Sequence, residues 1–167
     1  MPRLIRLADS VFDWADDRFR PVGDDEPVPP GDVMVSFTRF MAEGEGLLSG
    51  RALAVRVEPD QPVEDLAYDL HRLAAVALAF PKFGDGRAYT SARLLRERYG
   101  YAGEVRAVGQ ALREQALHMV RCGFDAFEPA DGSTPEDWAA AAGRYRHVYQ
   151  RAADTRAPGF VERGNGA

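Results

Sequence analysis

Ala74 to Phe80 is an apolar run with no polar interruption, and it stops at Pro81. No stretch constrains the fold of this chain more. A short run without alternation predicts a strand covered on both faces, as in parallel sheets. A glycine-flanked acid and base follow, Gly84-Asp85-Gly86-Arg87. The spacing then predicts a helix from Thr90 or Ser91 to Gly100, where glycine accepts a left-handed stop. Glu104 to Val108 alternates polar and apolar residues and reads as the next strand, closing at Gly109. Strand, polar loop, helix, strand is the unit of a parallel sheet, in which ligands bind at the loops after the strand C-termini.

The same signals recur on both sides. Leu4, Ile5 and Leu7, then Val11, Phe12, Trp14 and Phe19, predict a small hairpin turning at Asp9-Ser10. Residues 21–32 form an acidic, proline-rich linker that continues neither a helix nor a central strand. Val33–Phe37 and Ala52–Val57 read as strands, with a helix from Thr38 to about Leu48 between them. Val63, Leu66, Leu70 and Leu73 predict a helix after Pro62. Gln110–Cys122 reads as a helix ended by Gly123, and Asp125–Glu128 as a short strand. Thr134-Pro135-Glu136-Asp137 opens a helix reaching about Arg151, with a threonine cap and first-turn acids.

The expected fold class is therefore α/β, with about five mostly parallel strands and crossover helices, preceded by a small N-terminal β-hairpin. Five strands cannot close an eight-stranded barrel, so an open sheet or an incomplete β/α barrel is expected. The expected organisation is a hairpin and linker over 1–32, one α/β domain over 33–151, and a flexible tail over 152–167.

Composition bounds the function. At 167 residues, with a hydrophobic share of 46% and a charged share of 28%, the chain has the make-up of a globular domain. No apolar run approaches a membrane span, and the N-terminus lacks a secretory apolar core, so a cytoplasmic protein is expected. A single cysteine, Cys122, excludes an internal disulfide framework and a self-contained iron–sulfur site. His71, His118 and His147 have no zinc-ligand spacing. There is no P-loop and no G-x-G-x-x-G, so no fingerprint for ATP or NAD is present and no cofactor is assigned.

A net charge of -5 argues against general nucleic-acid binding. Its distribution says more. Lys82 to Arg121 holds eight bases against four acids, a local +4 that leaves -9 for the remainder. Guanidinium forks suit carboxylate, phosphate or sulfur oxyanions, so a small anion is the expected ligand. Arg96, Arg98 and Arg113 read as solvated helix faces.

The candidate site gathers around the central loop. Arg87 is the anion-binding group, with Asp85 orienting it or acting as general base; the alternative is an internal Asp85–Arg87 pair. Tyr89, Thr90 and Ser91 mark the expected helix start, where an anion would settle with Arg87 and Arg93, or where Thr90 or Ser91 simply caps. Glu104 and Arg106 share one strand face. Charges in a buried strand must be paired, with each other or with a ligand beyond the neighbouring strand, and Arg106 is expected to point toward the Asp85 loop. Cys122, at a helix C-terminus, reads as packing.

The stretch F-P-K-F-G-D-G-R-A-Y-T-S-A-R-L-L-R, with G-E-V-R-A-V-G, resembles a bacterial domain-of-unknown-function family that carries an oxidoreductase label tied to sulfite reduction. Genes of that family lie beside the gene for assimilatory sulfite reductase. Asp85, Gly86, Arg87, Tyr89, Ser91, Ala92, Arg93 and Arg96 match its first motif directly. Gly103, Glu104, Arg106, Ala107 and Gly109 match its second, in which Val105 replaces leucine. Glu114 stands before Gln115 where the family has aspartate. The similarity runs from about Leu53 to Glu128. It implies an accessory role in assimilatory sulfite reduction, with sulfite reductase as partner. The alternative is a small-molecule enzyme for an anionic substrate, with Asp85 and Glu104 handling protons. Sulfite reduction itself moves six electrons through sirohaem and an iron–sulfur cluster, which one cysteine cannot support.

Overall fold

The computed structural model describes residues 3–164. Its centre is one sheet of eight strands in the order β2-β1-β8-β7-β6-β5-β4-β3. The strands are β1 (Leu4–Ala8), β2 (Val11–Ala15), β3 (Arg20–Pro21), β4 (Val33–Ser36), β5 (Leu53–Val57), β6 (Ala75–Phe80), β7 (Glu104–Ala111) and β8 (Ala126–Pro129). From β3 to β8 every pairing is parallel. The hairpin β1–β2 adds two antiparallel strands beside β8. The expectation of about five strands is thus corrected to eight. The difference lies in the N-terminal segment, which supplies strands at both edges of the sheet.

That placement forces the sheet to curl. β2 and β3 lie at opposite edges, yet only residues 16–19 join them. Seven strand spacings of ~4.8 Å would put the edges of a flat sheet ~34 Å apart. Five residue steps reach at most ~18 Å. The sheet therefore curves until its edges approach, and residues 16–19 form a strap across its hollow side.

Side-chain size follows the curvature. Leu53, Val55, Val57, Val76, Leu78, Phe80, Val105, Ala107 and Phe127 point to the convex side, into the main core. Ala54, Ala75, Ala77 and Ala79 point to the concave side, where Phe19, Met34 and Val108 cover them. The helices pack on the convex side: α1 (Phe37–Leu47), α2 (Arg87–Arg93), α3 (Ala116–Cys122) and α4 (Pro135–Ala142). Trp138 of α4 is fully buried against Phe127, with ring centroids 4.6 Å apart, and its indole N–H donates to Ser133 Oγ.

Local signals were mostly decisive. Asp9 and Ser10 both have positive φ, the requirement of a two-residue hairpin turn whose twist matches its strands. Ser36 caps α1 by accepting from the Arg39 N–H. Thr134 and Asp137 form a reciprocal capping box on α4. Other expectations shift. The predicted helix after Pro62 is two 3₁₀ turns, Val63–Leu66 and Leu70–Arg72, because pairs three residues apart eclipse on a 3₁₀ turn as readily as they share an α face. α2 starts at Arg87, earlier than predicted, and then widens into a π turn over Leu94–Arg98. β7 runs to Ala111, so the helix expected from Gln110 is a 3₁₀ turn followed by α3. α4 stops at Ala142, and the tail carries a short helix α5 (Gly159–Gly164); residues 165–167 lie outside the described residues.

Gly109 marks the irregularity in β7. Its φ is +86°, and a Cβ there would sit 2.5 Å from the Phe80 carbonyl oxygen. Gly109→Ala is expected to cost more than about 1 kcal/mol in urea unfolding, through the positive φ and the contact together.

Candidate functional site

Alternation along β7 sends Glu104 and Arg106 to the concave side, where Arg106 is fully buried. Its Nε donates to Glu104 Oε1 (2.8 Å), and Nη1 donates to Asp17 Oδ2 (2.8 Å) and Glu128 Oε1 (3.1 Å). Nη2 completes a fork on Asp17 through Oδ1 (3.0 Å). The other Glu104 oxygen, Oε2, accepts from Arg6 at 2.6 Å. The Phe19 ring lies 5.6 Å from the Arg106 guanidinium carbon. Burial alone would lower the arginine pKa, but the hydrogen bonds and charges of Asp17 and Glu104 outweigh it and raise the value. Arg106 is therefore committed to carboxylates of its own chain, not turned toward the Asp85 loop.

Asp85 and Arg87 meet at the other end of the expected site. Asp85 is buried, and its two oxygens accept from Arg87 Nε (3.0 Å) and Nη2 (2.7 Å). The Arg87 hydrogen bond holds the Asp85 carboxyl down to about 2. The arginine itself is 59% exposed. Lys82 and Phe83, in the same loop, also face solvent.

The remaining candidates lie on α2. Because that helix begins at Arg87, Tyr89, Thr90 and Ser91 sit inside it instead of offering a free N-terminus. Tyr89 packs between Phe80 and His118, and burial pushes its hydroxyl up to about 12. Ser91 is half-buried. Arg93 pairs with Glu97 one turn on, at 2.9 Å, on an exposed face. Arg96 is not a solvated helix face. It donates to the carbonyls of Tyr101, Gly103 and Gly123 and pairs with Asp125, tying the π turn to the start of β7 and β8. Cys122 is buried, and burial raises its thiol pKa.

The sheet separates these groups. Arg87 and Arg93 belong to a helix on the convex side, and Arg106 lies on the concave side. One pocket for all three guanidinium groups does not form.

The structure instead opens a cleft of about 490 Å³ at the C-terminal strand ends on the concave side. Asp17 and Phe19 of the strap, Met34 and Ser36 of β4, Arg56 of β5 and Glu128 of β8 line it. Burial pushes the Glu128 carboxyl up, against the pull of Arg106. Ser36, Arg56 and Glu128 carried a sequence signal, since each stands at or near the end of a predicted strand. Asp17 carried none, because only the curl brings the strap there. Among the described residues no cluster of three or more His, Cys, Asp or Glu is placed to hold a metal ion. Among the same residues no helix is long and apolar enough to cross a membrane.

The Asp85 loop, α2, β7, α3 and β8 all lie within residues 54–160, which match the model of a family described as a bacterial protein of unknown function (DUF934). The chain belongs to this family. No curated protein matches it. The DUF934 region holds β6 with its loop, the Arg56 and Glu128 walls of the cleft, and Arg106. The hairpin, the strap and β3 precede it, so Asp17 and Phe19 close the DUF934 sheet from outside the matched region.

Two measurements test these assignments. Arg106→Met leaves Asp17 and Glu128 without the cation they share and Glu104 with Arg6 alone. It is expected to cost about 3–5 kcal/mol in urea unfolding, with a deficit that shrinks as pH falls and the carboxyls take up protons. Asp85 titrates in the folded state below its ordinary 3.8, so the Asp85–Arg87 pair is complete above that value and is lost as pH falls through about 2. Arg87→Gln is expected to return the Asp85 midpoint toward 3.8, read from its carboxyl carbon shift.

Proposed function

We propose that this protein is an accessory component of assimilatory sulfite reduction that docks on the reductase through the loop after β6 and the outer face of α2. One observation carries this reading. The loop Pro81–Gly86 holds Phe83 outward at 59% exposure, flanked by the exposed cations Lys82 and Arg87. An aromatic anchor with a cationic rim suits an acidic protein surface. The loop lies inside the stretch that resembles the sulfite-reduction family.

The ion pairs of this surface fit the same role. Arg87 and Arg93 already hold carboxylates, yet exposed pairs contribute little to stability and can exchange for a partner's carboxylates. The enzyme alternative draws less support. Asp85 is held ionised by Arg87, and both Glu104 oxygens are engaged by arginines, so neither is free to shuttle a proton.

The test is sedimentation of the purified protein with sulfite reductase from the same bacterium, together with reductase turnover. The expected result is a complex that alters turnover. Phe83→Ser and Lys82→Glu each weaken it about tenfold or more, with melting temperature unchanged because both side chains are exposed. Absence of a complex together with unaltered turnover would overturn the reading.

A further inference from the structure

The cleft on the concave side of the sheet has no part in the docking loop. We propose that it binds a small zwitterion of the amino-acid class, with the ligand carboxylate on Arg56, its ammonium on Glu128 and its side chain against Phe19, Met34 and Val108.

The register builds the two ends of the site. Ser36, Arg56, Ala77 and Arg106 are successive partners across β4, β5, β6 and β7, so they form one level of the concave face. β6 contributes only alanines to that face, Ala75, Ala77 and Ala79, and Phe19, Met34 and Val108 pack over them between Arg56 on β5 and Glu128 on β8. Those two strands are three spacings apart, ~14 Å along the sheet and less across its hollow. The cleft of about 490 Å³ lies within the usual range for small-molecule sites.

Each end has a charge with capacity to spare. Arg56 donates from Nε to Glu58 Oε1 at 2.9 Å, which leaves its terminal nitrogens available. Glu128 accepts from Arg106 through Oε1 alone, which leaves Oε2. Its raised pKa reflects a carboxylate short of solvation, a condition that a ligand cation relieves. Phe19, Met34 and Val108 lie between these ends as an apolar floor.

The remaining wall is built, not loose. The acidic linker folds over the strand ends, where Arg39, 8% exposed, donates to the carbonyls of Gly23 and Glu26. Asp24 accepts from Ser36 Oγ. Opposite charges on opposite walls discriminate by repulsion as well as attraction. A plain anion meets Asp17, Asp24, Glu26 and Glu128, and a plain cation meets Arg56. A molecule carrying both charges satisfies both walls. The position also agrees with the general placement of ligands at the carboxyl ends of parallel strands.

The experiment follows the Met34 and Val108 methyl resonances of the full chain during titration with each of the common L-amino acids. Propylamine and propionate serve as single-charge probes. The expected result is that at least one amino acid shifts these methyls saturably and raises the melting temperature, while neither single-charge probe does. Arg56→Gln, at an exposed position, is expected to weaken that binding about tenfold or more with no change in the unliganded melting temperature. Glu128→Gln weakens it similarly. Failure of every amino acid to move either methyl overturns the proposal, as does equal binding of propylamine or propionate. Phe83→Ser and Lys82→Glu are expected to leave amino-acid binding intact, so loss of docking and loss of this site are told apart.

Discussion

A fully buried guanidinium holds this fold closed. Arg106 reaches from the middle of a central strand to the strap, to its own strand neighbour and to the adjacent strand, and each contact ends on a carboxylate. A buried cation without those partners would be costly, and the carboxylates without the cation would repel one another. Lysine could not replace it. The planar fork engages both oxygens of Asp17 while leaving Nε for Glu104, which a single ammonium cannot reproduce. The Asp17 fork is also what fastens the strap, because Phe19 then lies over the same guanidinium. The network joins residues as distant in sequence as Arg6, Asp17 and Glu128, and so favours one curled closure of the sheet over flatter arrangements.

Curvature and composition support each other. Branched and aromatic side chains crowd the convex face, and alanines line the concave one. A sheet with bulk on one side and small residues on the other bends toward the small side, and here the strap leaves it no choice. The alanines have a second consequence. They make room in the hollow for the long side chain of Arg106 and for Phe19, Met34 and Val108, whose outer side is the apolar part of the cleft between Arg56 and Glu128.

The parts of this fold legible in the sequence are those specified by neighbours. The apolar run of β6, the alternation at the start of β7, the Asp9-Ser10 turn and the Thr134 cap each act over a few residues, and each formed where predicted, although β7 runs past Gly109 to Ala111. The internal pairing of Asp85 with Arg87 was one of two readings, two residues apart. Long-range consequences were not legible. β3 has two residues and no pattern of its own; it is a strand only because β4 lies beside it. Alternation put Glu104 and Arg106 on one face, but their partner Asp17 lies 89 residues from Arg106 and arrives through the curl. Arg96 resembled a surface arginine because nothing nearby in sequence reveals that Tyr101, Gly103, Gly123 and Asp125 converge on it.

β6 links the two surfaces to which function has been attributed, and it keeps them apart. Its large residues anchor the convex core, its alanines lie beneath Phe19, Met34 and Val108 on the concave side, and the loop at its C-terminal end carries Phe83. Val76, Leu78 and Phe80 are buried under the helices, and the next strand packs so closely that the Phe80 carbonyl tolerates only glycine at 109. A strand fixed this firmly on both faces is a rigid base for the loop it ends in. The cleft shares that rigidity but none of the loop's side chains, so a ligand in the hollow and a partner at the loop have separate contacts on one framework.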